Sequence, residues 1–260
     1  MSETIKKHGM TSEKARRVKE RGHKKEFLYA NLIKGKIIRG TKKEDVEDLK
    51  GNIHSLKGGG EITGMSGRHG KWQIFLYKRS RFEEENNFSG RELFIGLLNS
   101  FPKTYLEYQS NKLVVKENIK IWMQKLKDFL RIVENRTNFF KKSFFDDRVD
   151  FFIIYDDESF YVFDKEEVIN SFVNFLEVDN NSTLQKIVFK HKNRIVAELE
   201  CRTTDDGKYP AILFNMLKRQ AFDLLVEKII INKSLNPVLK VYGKAIGYFD
   251  DYSAQFLGGQ

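Results

Sequence analysis

The first apolar positions of the chain follow a helical spacing. Residues 12–21 are compatible with a helix and strongly basic, and Gly22 is expected to interrupt it. A second helical stretch then carries apolar residues as far as Ile33, and Gly35 stands where a C-terminal cap belongs. The pattern therefore predicts two helices before the first strand.

A strand pattern begins beyond this cap. Residues 45–48 and 52–57 are predicted to pair as a hairpin, because Gly51 suits the left-handed position of a three-residue loop. Residues 58–70 are predicted to form a glycine-rich loop, and residues 71–77 (KWQIFLY) a buried strand.

Helical and strand patterns alternate along the later chain. The predicted helices cover residues 92–98, 117–134, 165–176 and 214–230. The predicted strand pairs are 149–155 with 160–163, and 186–190 with 194–200. The fold class is therefore α/β, with a mixed β-sheet flanked by helices.

The composition is that of a folded protein of one or two domains. The 260 residues are 40% hydrophobic and 32% charged, which is enough apolar material for a sizeable core. A soft boundary within 139–147 would divide the chain into 1–138 and 139–260, and a single domain remains the alternative.

Three features bear on the cellular compartment. No apolar run approaches the roughly 20 residues that span a bilayer, so no membrane partner is expected. Residues 1–21 are polar and lack the apolar centre of a secretory signal. Cys201 is the single cysteine, which excludes an intramolecular disulfide and suits a reducing compartment. We expect a cytoplasmic protein.

The charge favours a polyanionic partner. The formal net charge is +10, from 46 Lys and Arg against 36 Asp and Glu. Clustered cations gain affinity for nucleic acid by releasing the counterions of its phosphates. Basic proteins that never touch nucleic acid are also common, so the charge alone does not decide the function.

Three polar residues of the predicted hairpin, Asp45, Ser55 and Lys57, carry the candidate chemistry. A hairpin that turns about Lys50 places Asp45 opposite Ser55, and alternation puts Lys57 on the same face. Hydrolysis of a phosphodiester bond with a metal needs carboxylates that hold a hard cation such as Mg²⁺, and a lysine near the attacking water assists it. The hairpin therefore predicts a site for this reaction.

These residues lie in three stretches, GHKKEFLYANLIKG, GTKKEDVEDLKGNIHSLKGG and KWQIFLY. Together the stretches resemble the catalytic core of PD-(D/E)XK restriction endonucleases over residues 22–77, less than a third of the chain. That core carries an aspartate on one strand and a D/E-x-K motif on the next. The resemblance implies a Type II restriction endonuclease that hydrolyses double-stranded DNA with Mg²⁺.

The resemblance also implies the other site residues. A glutamate on the helix before the first core strand often supports the metal site, and Glu26 matches its place, so Asp45 and Glu26 are the implied metal ligands. A glutamine recurs on the strand after the lysine, where Gln73 stands. Ser55 departs from the pattern, because an acid usually stands two residues before the lysine. Other candidates for the missing carboxylate are Asp48, Glu61 and one of Glu83, Glu84 and Glu85.

DNA contacts would come from loops and from the later half of the chain. The candidates are basic residues of the glycine-rich loop, of the chain after the KWQIFLY strand and of the CRTTDDGKY segment, and they are Arg68, Lys71, Lys78, Arg79, Arg81, Arg202 and Lys208. His69 is a further candidate for a phosphate contact. The basic segment 14–21 either grips the phosphate backbone or forms a solvated face.

Other residues of the sequence offer alternatives to this site. Asp150 with Glu198 and Glu200 is a rival metal site, although the two glutamates also fit the solvent face of a strand. His54 is expected to face away from the site and serve the structure. No zinc-type His and Cys spacing and no P-loop occurs, so nucleotide hydrolysis is not expected.

Cleavage of both DNA strands implies two active sites and hence a homodimer, or two successive visits by a monomer. The apolar face around Trp122 and Phe129 would be its interface or part of the core. A DNA methyltransferase that protects the same sequence is expected in the same cell, not as a stable subunit. The alternatives are a repair or mobile-element nuclease of the same fold, and a basic DNA-binding protein without chemistry.

Overall fold

The computed structural model describes residues 12–39, 43–58, 70–78, 89–146, 148–203 and 210–256. Within these ranges the chain is α/β, with one mixed and one antiparallel sheet flanked by helices, which confirms the predicted class. The helices are α1 (Ser12–Leu32), α2 (Arg91–Asn99), α3 (Tyr105–Ser110), α4 (Lys112–Arg131), α5 (Val133–Phe140), α6 (Lys165–Phe175), α7 (Lys218–Lys228) and α8 (Ala245–Phe256). None of them is long and apolar enough to cross a membrane.

The first sheet is mixed and carries the predicted hairpin. Its strands, in spatial order, are β1 (Lys36–Ile37), β2 (Val46–Glu47), β3 (Ile53–Gly58), β5 (Phe151–Tyr155), β6 (Phe160–Asp164), β12 (Leu239–Tyr242) and β11 (Asn232–Asn236). The pairs β3–β5 and β6–β12 are parallel, and the other neighbours are antiparallel. The α2–α5 region therefore belongs to the crossover between β3 and β5.

The hairpin register is the one that the sequence predicts. Val46 pairs with His54, as a turn about Lys50 requires, and Gly51 adopts a φ of 83°. A side chain strains the backbone at such a φ, so glycine is the favoured residue there. The predicted pairing of β5 with β6 is also confirmed.

The second sheet is antiparallel. Its strands, in spatial order, are β4 (Lys71–Lys78), β10 (Pro210–Leu217), β9 (Arg194–Thr203), β8 (Lys186–His191) and β7 (Glu177–Asn180). The predicted β8–β9 hairpin is confirmed, with Lys192 and Asn193 at φ 47° and 64° as a tight turn requires.

Three of the predicted helix limits are wrong. The helix predicted over 117–134 begins at Lys112 and ends at Arg131, because Ile132 is extended and separates α4 from α5. The helix predicted from residue 214 begins at Lys218, because the apolar run before it is the buried central strand β10, and periodicity alone does not separate such a run from a helix.

Gly22 does not interrupt the first helix, since α1 is continuous as far as Leu32. A glycine inside a helix costs about 1 kcal/mol, and the buried residues Tyr29 and Ala30 near the end of α1 hold the helix against the first sheet.

One aromatic core joins the two sheets. Phe140 packs against Phe189 of the second sheet at 5.6 Å between ring centroids, and Phe144 packs against Phe152 of the first sheet at 5.7 Å. The predicted boundary at residue 139 falls inside α5, and each sheet combines strands from both sides of it. Trp122 and Phe129 pack against the same core.

Candidate active site

Asp45, Ser55 and Lys57 converge on the β2–β3 hairpin of the first sheet. Asp45 directly precedes β2, and its Oδ2 accepts a hydrogen bond from the Leu56 amide at 2.6 Å and from the Ser55 hydroxyl at 3.4 Å. The Lys57 ammonium donates to Ser55 Oγ at 3.1 Å and lies 3.9 Å from Asp45 Oδ2. The serine therefore holds the lysine beside the aspartate.

Glu26 of α1 adds a second carboxylate to this cluster. Burial raises the pKa of Glu26, and the negative charge of Asp45 raises it further, while His23 and Lys57 lower it. Burial likewise raises the pKa of Asp45, although Lys57 and the Leu56 amide oppose the rise. Two half-buried acids that repel each other favour a cation between them.

Tyr155, at the end of β5, is a member of the cluster that sequence reasoning missed. It pairs with Gly58, and a Cβ on that glycine would lie 3.0 Å from the phenol oxygen. Burial, followed by the charges of Glu26 and Asp45, raises the pKa of Tyr155 to about 12, against an opposing effect of Arg21. The hydroxyl is therefore protonated at neutral pH. Its place depends on the parallel pairing of β3 with β5, which no local pattern encodes.

Asp45 and Glu26 fit a magnesium ion by their chemistry. Protein sites commonly bind Mg²⁺ through one or two carboxylates, and water and substrate phosphate complete its octahedron. Among the described residues no group of three or more His, Cys, Asp and Glu side chains could hold a metal ion. Within that part of the chain, Glu26 and Asp45 are therefore only a pair of carboxylates, and any further ligands of a cation there would be water or substrate oxygens.

No family model, curated protein or solved structure matches the chain. The site is accordingly characterised by its own geometry. Its members come from α1, the β2–β3 hairpin and β5, which lie together in the first sheet and against it.

Gln73 does not lie in the same sheet as Ser55 and Lys57. β4 does not lie beside β3 in the first sheet but forms the edge of the second, where Gln73 is opposite Asn215 of β10. Its side chain is exposed, because alternation along β4 buries Trp72 and Ile74 instead. The Trp72 indole of β4 donates to the Gly58 carbonyl at the end of β3 at 2.6 Å.

Asp48, one of the candidates for the missing carboxylate, has a structural role in the hairpin. Its carboxylate is buried and accepts hydrogen bonds from His54 Nε2 at 3.0 Å, from the Lys50 amide at 2.8 Å, from the Asn52 amide at 3.0 Å and from the Tyr248 hydroxyl. These donors leave it no role at the cluster. Glu61, Glu83, Glu84 and Glu85 lie outside the described residues.

His54 serves the structure, as expected from its place in the strand. Its ring is fully buried and stacks on Phe151 at 4.9 Å between centroids. Nε2 contacts Asp48, and Nδ1 lies 3.0 Å from the Tyr29 hydroxyl. The ionised Asp48 carboxylate fixes the neutral tautomer that donates from Nε2.

A pH dependence of stability follows from this buried histidine. Burial lowers the pKa of His54 below 6.5, although the hydrogen bond and charge of Asp48 oppose the change. Below about pH 6.5 the unfolded chain binds a proton that the folded chain does not, so acidification destabilises the fold by at most about 1.4 kcal/mol per pH unit. Urea unfolding at several pH values should show this slope reduced in His54→Gln and retained in His23→Gln, an exposed control. An equal slope in His54→Gln would contradict the assignment.

The rival site is not assembled. Asp150 lies by the first sheet, where it accepts from the Ile53 amide at 3.0 Å and contacts Lys165 at 3.4 Å. Glu198 and Glu200 lie on β9 in the second sheet. There Glu198 pairs with Lys71 at 2.6 Å and Glu200 with Lys186 at 2.9 Å, as expected of a polar sheet face.

The structure describes only some of the candidate DNA contacts. Lys78 and Arg202 both pair with Ala211 of β10, so they share one row of the second sheet. Lys71 bonds to Glu198. The remaining candidates lie outside the described residues, and they are Arg68, His69, Arg79, Arg81 and Lys208.

The basic segment 14–21 is part of α1. Arg16 and Arg17 form ion pairs with acids one turn away, at 3.3 and 2.6 Å, as on a solvated helix face. Arg21 pairs instead with Asp157, which follows β5.

Proposed function

We propose that this protein is a magnesium-dependent endonuclease that hydrolyses phosphodiester bonds of double-stranded DNA at specific sequences, a Type II restriction enzyme with a PD-(D/E)XK core. The observation that carries the proposal is the convergence of Glu26, Asp45 and Lys57 at one edge of the first sheet. Two carboxylates and a lysine are the groups that this reaction needs.

Each member of the cluster has a distinct role in the proposed reaction. Glu26 and Asp45 would hold Mg²⁺, which polarises the phosphate and lowers the pKa of a bound water. Lys57 orients the attacking water and balances the charge that develops on the phosphate. Ser55 positions Lys57 through its 3.1 Å hydrogen bond, and the protonated Tyr155 hydroxyl is a donor for a phosphate oxygen.

The order of the elements supports the proposed core. A helix that carries Glu26 precedes the strands, Asp45 lies at the first strand of the hairpin, and Lys57 lies on the next strand. This is the order that the resemblance implies. Ser55 and Gln73 depart from the family pattern, since the first replaces an acid and the second lies in the other sheet.

The proposed substrate agrees with the charge of the chain. A net charge of +10 favours a polyanion. Cleavage of both strands would be carried out by a homodimer, in a cell that also contains a methyltransferase of the same specificity. The cytoplasm is the compartment in which such an enzyme meets DNA.

Incubation of the purified protein with phage DNA tests the proposed function. With Mg²⁺ we expect discrete fragments of reproducible size, because the enzyme cuts at fixed sequences, and EDTA should abolish them. A smear without fixed fragments would favour a repair or mobile-element nuclease. Intact DNA with every divalent metal tried would contradict the proposal and leave a DNA-binding protein without chemistry.

A further inference from the structure

Lys218, the first residue of α7, is a half-buried cation beside the candidate site. Its backbone amide donates to the Gly70 carbonyl at 3.0 Å, and its side-chain stem packs on Gly70, where a Cβ would lie 3.1 Å from Cδ. The structure shows no hydrogen bond or ion pair of the Lys218 ammonium with any described residue. A cation in such a place has an electrostatic cost that an anion would remove.

Contacts at the two ends of the 59–69 segment place Lys218 next to the cluster. Gly58 directly follows Lys57 and contacts the Tyr155 hydroxyl. Trp72, two residues beyond Gly70, donates to the Gly58 carbonyl at 2.6 Å. Gly58 therefore lies at the cluster, and Trp72 brings the chain around Gly70 close to it. Lys218 packs against Gly70.

A second cation, Arg21 of α1, lies on the same side. Burial lowers the pKa of Lys218, and the positive charge of Arg21 lowers it further, so the two cations repel each other. The charge of Arg21 also opposes the rise in the pKa of Tyr155, and Arg21 forms an ion pair with Asp157, which follows β5. Gly22, its neighbour in the helix, lies near both the Tyr155 hydroxyl and Glu26.

We propose that Lys218 and Arg21 together bind a phosphate group of the DNA backbone next to the one that is cut. Two neighbouring cations, one of them half-buried and without a described counter-charge, attract a shared anion. The phosphate that is cut would lie at the metal centre held by Glu26 and Asp45, so the anion at Lys218 and Arg21 is the adjacent one. This proposal rests on the proposed nuclease function. A contact with a backbone phosphate does not read the bases, so it would add affinity and not sequence specificity.

Binding of a labelled duplex in EDTA tests the contact without any need for cleavage. Removal of one phosphate contact reduces the slope of log K against log salt by about 0.9 and weakens binding at low salt roughly tenfold. We expect this of Lys218→Met, which keeps the aliphatic stem against Gly70, and we expect Lys218→Arg to restore both values. Lys233→Met, on the far edge strand β11, is the matched control and should bind like wild type.

The possible outcomes separate this proposal from the proposed function. An unchanged salt slope in Lys218→Met would overturn the phosphate contact, whether or not the variant is less stable, and would leave wild-type cleavage as evidence for the nuclease. A reduced slope together with wild-type protein that never cuts DNA would support the contact and contradict the nuclease. No binding of duplex by wild type in EDTA would overturn the phosphate contact alone, because the digest with Mg²⁺ decides the nuclease separately.

Discussion

Asp45→Asn is expected to slow the cleavage of duplex DNA about a thousand-fold with Mg²⁺ present, while the fold is retained. Asparagine lacks the negative charge that would hold the cation. Its amide oxygen can still accept the hydrogen bond from the Leu56 backbone, which Asp45 accepts at 2.6 Å. The loss should therefore appear in catalysis and not in stability.

The matched control for this variant is Glu47→Gln, which removes an equal charge two residues away. Glu47 lies on β2 and pairs with the exposed Lys36 at 3.1 Å. Single-turnover rates at saturating enzyme isolate the chemical step. Glu47→Gln should cleave at the wild-type rate, and a similar loss in both variants would show that general charge, not the metal centre, is responsible.

Asp48→Ala is expected to lower the free energy of unfolding by about 3–4 kcal/mol, because it removes the acceptor of a buried network. The His54 ring, the Asn52 amide and the Tyr248 hydroxyl would lose their partner. The same donors fix the turn of the hairpin that carries Asp45 and Lys57. The rate of DNA cleavage should therefore fall as well, because Asp45 and Lys57 would no longer be held in position.

The acidity of Asp48 gives this prediction a pH signature. Burial raises the pKa of Asp48, but hydrogen bonds from His54, Tyr248 and the Asn52 backbone outweigh it and hold the pKa well below its usual range. A depressed pKa contributes stability above the unfolded value of about 3.9, and this stability is lost as the pH falls toward the folded value. Urea unfolding near neutral pH measures the full difference. Asp128→Ala, at an exposed site, should change stability by less than about 0.5 kcal/mol, and an equally small change in Asp48→Ala would refute the network.

The features that local signals specify were predictable. Gly51 fixes the turn of the β2–β3 hairpin, and a one-residue slip would turn every side chain to the other face, so the register followed. The turn at Lys192 and Asn193 fixed the β8–β9 pair in the same way. The convergence of Asp45, Ser55 and Lys57 is a direct consequence of the β2–β3 register.

The features that depend on distant pairing were not predictable. Gln73 follows Lys57 closely in sequence, yet its strand pairs with β10, which lies far along the chain. Tyr155 and Lys218 reach the site through the β3–β5 pairing and through packing on Gly70. No short-range pattern distinguishes these arrangements from alternatives of equal periodicity.

We propose that Asp45 belongs to a metal-dependent centre that cuts DNA. The most direct test of this claim is a digest of phage DNA with Mg²⁺ by wild type, Asp45→Asn and Glu47→Gln on one gel. We expect identical discrete fragments from wild type and Glu47→Gln, and intact DNA from Asp45→Asn. Fragments that persist undiminished in Asp45→Asn would contradict the claim and move the catalytic centre elsewhere in the chain.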